Sequence, residues 1–154
     1  GDFTVSLIPN LDIVGSFAVF KAHVQLGAPY DLAPEPYDDL IHTTIPVGDI
    51  SQDNFAIWTR YNFGAIGLHG WTAGVGEQCI AKRAITDSSN QIFYGYIPGY
   101  ALTNAFVAWE NRHVKIQLNI DNLFNQFYYY AARSNQVIVP GIPINPRVAV
   151  TYKY

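Results

Sequence analysis

Apolar and polar residues alternate without a break from Val114 to Asp121. Successive side chains of an extended strand point to opposite faces, so every second residue of this segment shares a face. One face would carry Val114, Ile116, Leu118 and Ile120, and the other Lys115, Gln117, Asn119 and Asp121. A slip of one residue in the pairing would bring Lys115 to the apolar face, at a cost of about 2–4 kcal/mol if that face met lipid. The pattern therefore predicts a strand in a single register.

The last residues of the chain repeat this alternation and end on an aromatic residue. Val148, Val150, Tyr152 and Tyr154 would share one face, and Arg147, Ala149, Thr151 and Lys153 the other. A terminal strand of this kind, without a polar tail, is typical of an outer-membrane barrel, whose apolar face meets lipid and carries interfacial aromatic residues.

The composition favours a surface that is partly hidden from water. Of the 154 residues, 49% are hydrophobic and only 14% are charged, against a usual charged fraction of about 25%. No run approaches the roughly 18 consecutive apolar residues of a transmembrane helix, so only strands would span a bilayer. The single cysteine, Cys79, excludes an internal disulfide, and no basic cluster indicates nucleic-acid binding.

Seven strands are predicted, separated alternately by short turns and longer loops. Their ranges are 2–8, 11–24, 54–63, 68–82, 100–110, 113–123 and 147–154. Prolines mark the loops at 25–53 and 125–144, and the glycines of the fourth strand predict bulges or the close approach of another segment. Complete barrels of this type have an even number of strands and at least eight, so we expect further strands on the N-terminal side.

Five short motifs occur along the chain in a consistent order. They are Trp58–Tyr61, Pro98–Tyr100, Asn119–Phe124 followed by Phe127–Tyr129, Asn145–Arg147, and the terminal aromatic residue. This set resembles the C-terminal part of TonB-dependent outer-membrane receptors. The most specific element is the Asn-x-x-Asn-Leu-Phe motif, whose defining positions are Asn119, Asn122, Leu123 and Phe124.

The resemblance implies an all-β fold, a transmembrane antiparallel β-barrel of about 22 strands to which this chain would contribute about the last seven. Residues 1–154 would then be the C-terminal portion of the barrel, without the plug domain and the N-terminal strands. It also implies a location in the outer membrane of a Gram-negative bacterium and import of iron-siderophore or similar scarce nutrient complexes. The implied partners are the remaining strands, the plug, outer-membrane lipid, and TonB through the plug region. The chain would be a fragment or proteolytic product of such a receptor, or one subunit of a split one.

The closing strand also resembles the signal read by the barrel-assembly machinery. In that signal a polar residue precedes a small residue by two positions, and aromatic residues occupy the last and third-last places. Arg147, Ala149, Tyr152 and Tyr154 fill these places. The alternative interpretation is an ordinary amphipathic strand.

Aromatic residues near the predicted outer loops are candidates for contact with a ligand. They are Tyr30, Tyr37, Phe93, Tyr94 and Tyr96. Tyr94 and Tyr96 would serve equally well in an interfacial aromatic girdle. The carboxylates between Tyr30 and Asp39 would suit a hard cation, but their spacing is not that of an EF-hand and a solvated loop is the stronger interpretation. The four histidines occur singly, so no metal site is predicted, and no motif indicates a cofactor or an enzyme.

Two other classes of protein fit parts of this pattern. One is a small self-contained outer-membrane barrel that acts as an adhesin or pore, which would require an eighth strand. The other is a soluble all-β binding domain, such as a sandwich, in which the apolar residues would pack between two sheets.

Overall fold

The computed structural model describes residues 1–19, 21–25, 44–87, 92–132 and 137–154. The strands in these ranges are β1 (Asp2–Ile8), β2 (Leu11–Val19), β3 (His23–Gln25), β4 (Thr44–Pro46), β5 (Asp53–Asn62), β6 (Trp71–Ile80), β7 (Arg83–Asp87), β8 (Ile92–Ile97), β9 (Tyr100–Glu110), β10 (Val114–Asp121), β11 (Tyr129–Ala132), β12 (Ile138–Pro140) and β13 (Asn145–Tyr152). A 3-10 helix spans Phe63–Ile66. Within the described ranges no helix has the length and apolar character needed to cross a membrane.

Seven strands form one antiparallel sheet in the order β1-β2-β5-β6-β9-β10-β13. Each strand pairs with the next along the sheet, which confirms the predicted set of seven and its order. The three short connections lie at one end of the sheet, which we call the turn end, and the three long connections lie at the other, the loop end. Because β1 and β13 do not pair with each other, the described part of the chain does not close a barrel by itself.

Local side-chain hydrogen bonds set the tight turns. Asn10 adopts a positive φ of 70° after Pro9, a conformation that asparagine takes more readily than most residues other than glycine. Between β9 and β10, the Asn111 Oδ1 accepts hydrogen bonds from the backbone N–H of His113 (2.9 Å) and of Val114 (2.8 Å). Asparagine favours such turns because its side chain bonds to the backbone nearby. These turns fix the register of the strands that they join.

The structure corrects the predicted strand over residues 11–24 and the loops next to it. β2 ends at Val19, opposite Asp53, which is the first residue of its partner β5. His23–Gln25 is a separate strand that pairs with β4, and the other two long connections contain the hairpins β7–β8 and β11–β12. Strands of three to six residues with prolines nearby carry little alternation, so the sequence pattern indicated loops.

The pairing register divides the sheet into two faces. The apolar face carries Phe3, Val5, Ile13, Phe17, Phe55, Ile57, Val75, Val107, Ile116, Leu118, Val148 and Val150. The polar face carries Asp2, Asp12, Arg60, Glu110, Lys115, Asp121 and Arg147. The charged residues of the seven strands that lie on the apolar face are Asp53, at the very start of β5, and Glu77, whose carboxylate accepts a hydrogen bond from the Thr103 hydroxyl (2.5 Å). Lys115 is on the polar face, so the predicted register of β10 is confirmed.

Aromatic residues gather on the apolar face at the turn end. Trp71 and Trp109 are directly opposite each other on β6 and β9. Together with Val107, Ile116 and Leu118 they line an open apolar groove of about 310 Å³. Indole rings at the end of an apolar band are typical of the interfacial girdle of outer-membrane barrels.

Two aromatic rings lie over glycines of β6 on the polar face. A Cβ at Gly76 would stand 2.3 Å from the ring of Trp58, and one at Gly74 would stand 2.4 Å from the ring of Phe106. The ladder of β6 is unbroken on both sides, so these glycines mark close approach and not a bulge. Of the two outcomes that the sequence left open, close approach is the one observed.

The loop end is covered by the three short hairpins, which we call the hairpin layer (β3–β4, β7–β8 and β11–β12). Its apolar centre consists of Ile85, Ile97 and Ala132, all buried. The Thr86 hydroxyl donates to the carbonyl of Pro46 (2.9 Å), which ties β7 to β4. The backbone N–H of Ala132 donates to the carboxylate of Asp49 (3.2 Å), which ties in β11. The hairpins therefore support one another above the sheet.

Candidate functional site

A β-bulge in the β7–β8 hairpin brings two aromatic side chains together. Thr86 pairs with Phe93 and Ile85 pairs with Gly95, so Tyr94 is the extra residue and Gly95 takes a φ of 127°. On a regular strand, residues three positions apart point to opposite faces. The extra residue reverses this alternation, so Phe93 and Tyr96 lie on the same face. Their rings meet edge to face with centroids 5.1 Å apart.

A cation completes this corner. The Lys82 ammonium lies 4.6 Å from the centroid of the Tyr96 ring, within the range of a cation–π contact. Lys82 and Tyr96 also line a cavity of about 180 Å³, together with Pro46, Val47, Ile50, Gln52 and Ala84. We call Lys82, Phe93 and Tyr96 the aromatic-cationic corner. Its rings and ammonium are exposed, so they are available to a ligand that carries negative charge and flat groups.

A buried arginine anchors the hairpin below this corner. Arg83 is 7% exposed, and its guanidinium donates to the backbone carbonyls of Tyr129 (2.8 Å) and Tyr130. It also lies over the Tyr100 ring, with 5.6 Å to the centroid. Within the described ranges no carboxylate pairs with it, so carbonyl oxygens and a ring face compensate its charge. Arg83 therefore joins the β7–β8 hairpin to β11.

The structure places three of the five predicted ligand-contact residues. Phe93, Tyr94 and Tyr96 all lie on β8, in the hairpin layer and outside the seven-stranded sheet. Each is exposed, at 40%, 37% and 50% respectively. Tyr30 and Tyr37 lie outside the described residues. A role in ligand contact stays a prediction for all five.

The motif at the end of β10 acts as a structural bracket. Asn122 is buried, has a φ of 51°, and its Oδ1 accepts from the backbone N–H of Gln126 (2.8 Å). Its Nδ2 donates to the carbonyls of Gln126 (2.9 Å) and Ile142 (3.1 Å). The side chain thus ties the start of the loop to its return. Leu123 follows it in partial burial, and Phe124 is exposed.

Asn119, the remaining residue of the motif, lies on the polar face together with Arg147 and Ala149 of the closing strand. Asn119 accepts a hydrogen bond from Gln117 through its Oδ1 (2.6 Å). Arg147 forms an ion pair with Asp121 (2.6 Å), and Ala149 is opposite Gln117. On the other side, the rings of Tyr152 and Tyr154 meet edge to face with centroids 5.4 Å apart, and both are exposed. A role of these four residues of the closing strand in the assembly signal stays a prediction.

Sequence reasoning did not identify Lys82 or Arg83. The available signal was a pair of adjacent cations just after a glycine-rich strand. The fold then exposes Lys82 and buries Arg83, and this difference does not follow from the sequence pattern. The described residues contain no group of three or more histidine, cysteine, aspartate or glutamate side chains placed to hold a metal ion.

Comparison with known proteins decides the family. The model of the TonB-dependent receptor-like β-barrel matches residues 4–123. This chain belongs to the TonB-dependent receptor family. The resemblance that the motifs indicated is confirmed, and so is the antiparallel barrel fold.

Individual relatives match along nearly the whole chain. The metal-pseudopaline receptor CntO of Pseudomonas aeruginosa is 24% identical over 153 residues, which are 99% of this chain and 20% of that receptor. Two solved structures share the fold. The closed form of the ferric-catecholate import receptor Fiu of E. coli K12 has a TM-score of 0.67 at 18% identity, over 99% of this chain and 20% of that one. The siderophore receptor PiuA of Acinetobacter baumannii has a TM-score of 0.66 at 18% identity, over 98% and 20%.

The chain thus spans about a fifth of the length of the relatives that it matches. Family members are outer-membrane β-barrels of Gram-negative bacteria and are transport receptors, not enzymes, so this chain is part of an outer-membrane barrel. The apolar face of the sheet is the one that meets lipid, and the polar face turns to the lumen. A soluble sandwich does not fit this membership.

Proposed function

We propose that this chain is the C-terminal part of an outer-membrane receptor that imports iron-siderophore or similar metal complexes with energy from TonB. The observation that carries the proposal is the family match over residues 4–123. The relatives agree in the class of cargo that their names give: one receives a metal-pseudopaline complex and another a ferric catecholate.

The aromatic-cationic corner supports a metal complex as the cargo. Siderophore complexes often combine negative charge with flat conjugated rings. Tyr96 and Phe93 offer faces and edges for stacking, and Lys82 offers a charge beside them. The corner belongs to the hairpin layer, where the long connections of the barrel gather. In an outer-membrane barrel these connections face the outside, so the corner would meet cargo before it enters the lumen.

Binding and uptake by the complete receptor test this function. We expect uptake of ferric catecholate or of the metal-pseudopaline complex in cells with TonB and none in cells without it. For the corner, the double variant Phe93→Ala and Tyr96→Ala should weaken the binding of the transported complex by about tenfold, because each exposed ring contact contributes about 0.5–1.5 kcal/mol. Tyr61→Ala, at the turn end, is the matched control. An affinity of the double variant equal to that of Tyr61→Ala and of the unaltered receptor would exclude the corner as a contact.

We also propose that the plug and the preceding barrel strands come from residues outside this chain. The unpaired edges of β1 and β13 would each then meet another strand, because exposed backbone groups in hydrocarbon are strongly unfavourable. Copurification from outer membranes is the test. We expect one of two results. Either this chain is part of one longer polypeptide that includes the plug, or it copurifies with a second polypeptide that carries the plug and about fifteen more strands. Isolation of the chain as a stable barrel alone would contradict this proposal and favour the self-contained barrel.

The closing strand would be read by the barrel-assembly machinery through Arg147, Ala149, Tyr152 and Tyr154. Deletion of Tyr154 removes one ring of the exposed aromatic pair without touching the ladder that ends at Tyr152. We expect a marked loss of heat-modifiable barrel in the outer membrane. A normal amount in the deletion variant would refute the signal.

A further inference from the structure

The open groove on the apolar face at the turn end has a defined mouth and floor. Its five lining residues come from three neighbouring strands, β6, β9 and β10. Trp71 and Trp109 are directly opposite each other at the mouth, and Ile116 completes this row. Val107 and Leu118 are directly opposite each other one row deeper, toward the middle of the sheet. We call the space between these five residues the indole groove.

The polar edge of one indole ring lies at the mouth of the groove. A Cβ at Gly70, the residue just before β6, would stand 3.5 Å from the Trp109 Nε1. The N–H edge of this ring is therefore at the turn end, beside the short connection that leads into β6. Indole rings take this orientation at a membrane interface, where the N–H meets polar headgroups and the ring meets acyl chains. The groove thus runs from the level of the headgroups into the hydrocarbon.

The width and chemistry of the indole groove favour a hydrocarbon chain over a segment of protein. Apart from the two indole N–H groups, its side chains are hydrocarbon only, and the backbone of β9 is paired on both sides. A protein segment in the bilayer must therefore satisfy its own backbone, as a helix about 10–12 Å across does. The strands β6 and β10 are two strand spacings apart, about 10 Å, and their side chains narrow the space between them. A helix is too wide to enter, whereas a single acyl chain fits.

We propose that the indole groove is a specific binding site for one acyl chain of a phospholipid from the leaflet at the turn end. The proposal rests on the lipid that meets the apolar face and not on the cargo of the receptor. The chain would lie between the two indole rings and over Val107 and Leu118, which together enclose about 310 Å³. The headgroup would stay at the level of the turns, beside the indole N–H groups. This lipid would stay bound for longer than the lipid around the rest of the barrel.

Native mass spectrometry of the complete receptor tests this site. The receptor is purified in detergent and titrated with palmitoyl-oleoyl phosphatidylethanolamine, and we expect one lipid to bind more tightly than any further lipid. Val107→Trp fills the floor of the groove and should weaken the binding of this lipid about tenfold, the size expected when about two methylene groups lose their burial. Val5→Trp is the matched control, because Val5 is on the apolar face of β1, outside the groove.

The outcomes distinguish a specific lipid site from other occupants of the groove. Equal lipid binding by the unaltered receptor, Val107→Trp and Val5→Trp would overturn the inference, because the lipid would then be ordinary boundary lipid. Receptor dimers that Val107→Trp abolishes, with lipid binding unchanged, would also overturn it and assign the groove to a second copy.

A second variant decides if Val107→Trp gives no heat-modifiable barrel. Trp71→Ala removes one wall of the indole groove at an exposed position and adds no volume. Lipid binding about tenfold weaker than in the unaltered receptor supports the site, and unchanged binding rejects it. Neither result depends on whether the receptor imports a metal complex, so this inference and the proposed function fail separately.

Discussion

The seven-stranded sheet and the hairpin layer differ in where their side chains are hidden. From β2 to β13 the ladder runs without a register shift, yet both of its faces are open, and Val148 and Val150 are each 68% exposed. The hairpin layer is short and irregular, but it contains the buried cluster of Ile85, Ile97 and Ala132. The sheet thus needs lipid on one face and protein in the barrel lumen on the other to bury its side chains, while the hairpin layer buries side chains between its own strands.

This contrast separates two kinds of sequence requirement. In the sheet, a residue is chosen by the face on which it lies, and neighbouring positions alternate between two solvents. In the hairpin layer, a residue is chosen by a specific contact, such as the Arg83 guanidinium on the carbonyl of Tyr129. In the sheet, the effect of a substitution should therefore depend on the face on which the residue lies, which we call the face rule. In the hairpin layer, it should depend on the contact that is lost, which we call the partner rule.

The strongest test of the face rule uses two adjacent aliphatic residues of β2. Ile13 is on the apolar face opposite Thr59, and Val14 is on the polar face opposite Trp58. Ile13→Arg should reduce the free energy of unfolding of the complete receptor in lipid by about 2–4 kcal/mol, since it exposes a charge to hydrocarbon. Val14→Arg should change it by less than about 1 kcal/mol. Denaturant titration of heat-modifiable mobility measures both, and equal losses would break the assignment of lipid to the apolar face.

The partner rule predicts a large difference between two asparagines with the same backbone. Asn122 and Asn125 both have a φ of 51°, but Asn122 makes three side-chain hydrogen bonds to Gln126 and Ile142, while Asn125 accepts one from the N–H of Ile144. We expect Asn122→Ala to destabilise the 122–144 segment by about 2–3 kcal/mol and Asn125→Ala by about 1 kcal/mol. Local hydrogen exchange reports both values. Similar values would mean that backbone conformation, and not the bracket, sets the stability.

Arg83 gives a narrower test within the hairpin layer. Arg83→Lys keeps the charge but cannot hold both the Tyr129 and Tyr130 carbonyls, so it loses about one charged hydrogen bond, worth roughly 1.5–2 kcal/mol. Exchange in β7, β8 and β11 should become about ten- to thirtyfold faster, while β9 and β10 stay unchanged. Lys82→Met, next to it and exposed, is the control for charge. If the sheet loosens along with the hairpins, the two regions do not open independently.

The features that the sequence predicts belong to the sheet, and those that it does not predict belong to the hairpin layer. The seven strands, their order and the register of β10 came from alternation, because every residue of the sheet reports its face. The hairpins were missed because their stability comes from contacts distant in the chain, such as Thr86 with Pro46. The sequence indicated Phe93 and Tyr96 as candidates for contact with a ligand, but only as separate residues. Their pairing depends on the bulge at Tyr94, which no periodic pattern shows.

The smallest predicted effect on stability is at the ion pair between Arg147 and Asp121, where face and partner rules meet. Both side chains are substantially exposed, so the pair should contribute no more than about 1 kcal/mol. Arg147→Gln and Asp121→Asn each break the pair and should give the same small loss in a denaturant titration. They differ in one respect: only the first changes a position of the predicted assembly signal. If Arg147 is read by the assembly machinery, Arg147→Gln will lower the amount of folded barrel in the outer membrane well below that of Asp121→Asn at equal stability. Equal amounts would mean that Arg147 serves the sheet alone, and that the signal resides in the aromatic residues that follow it.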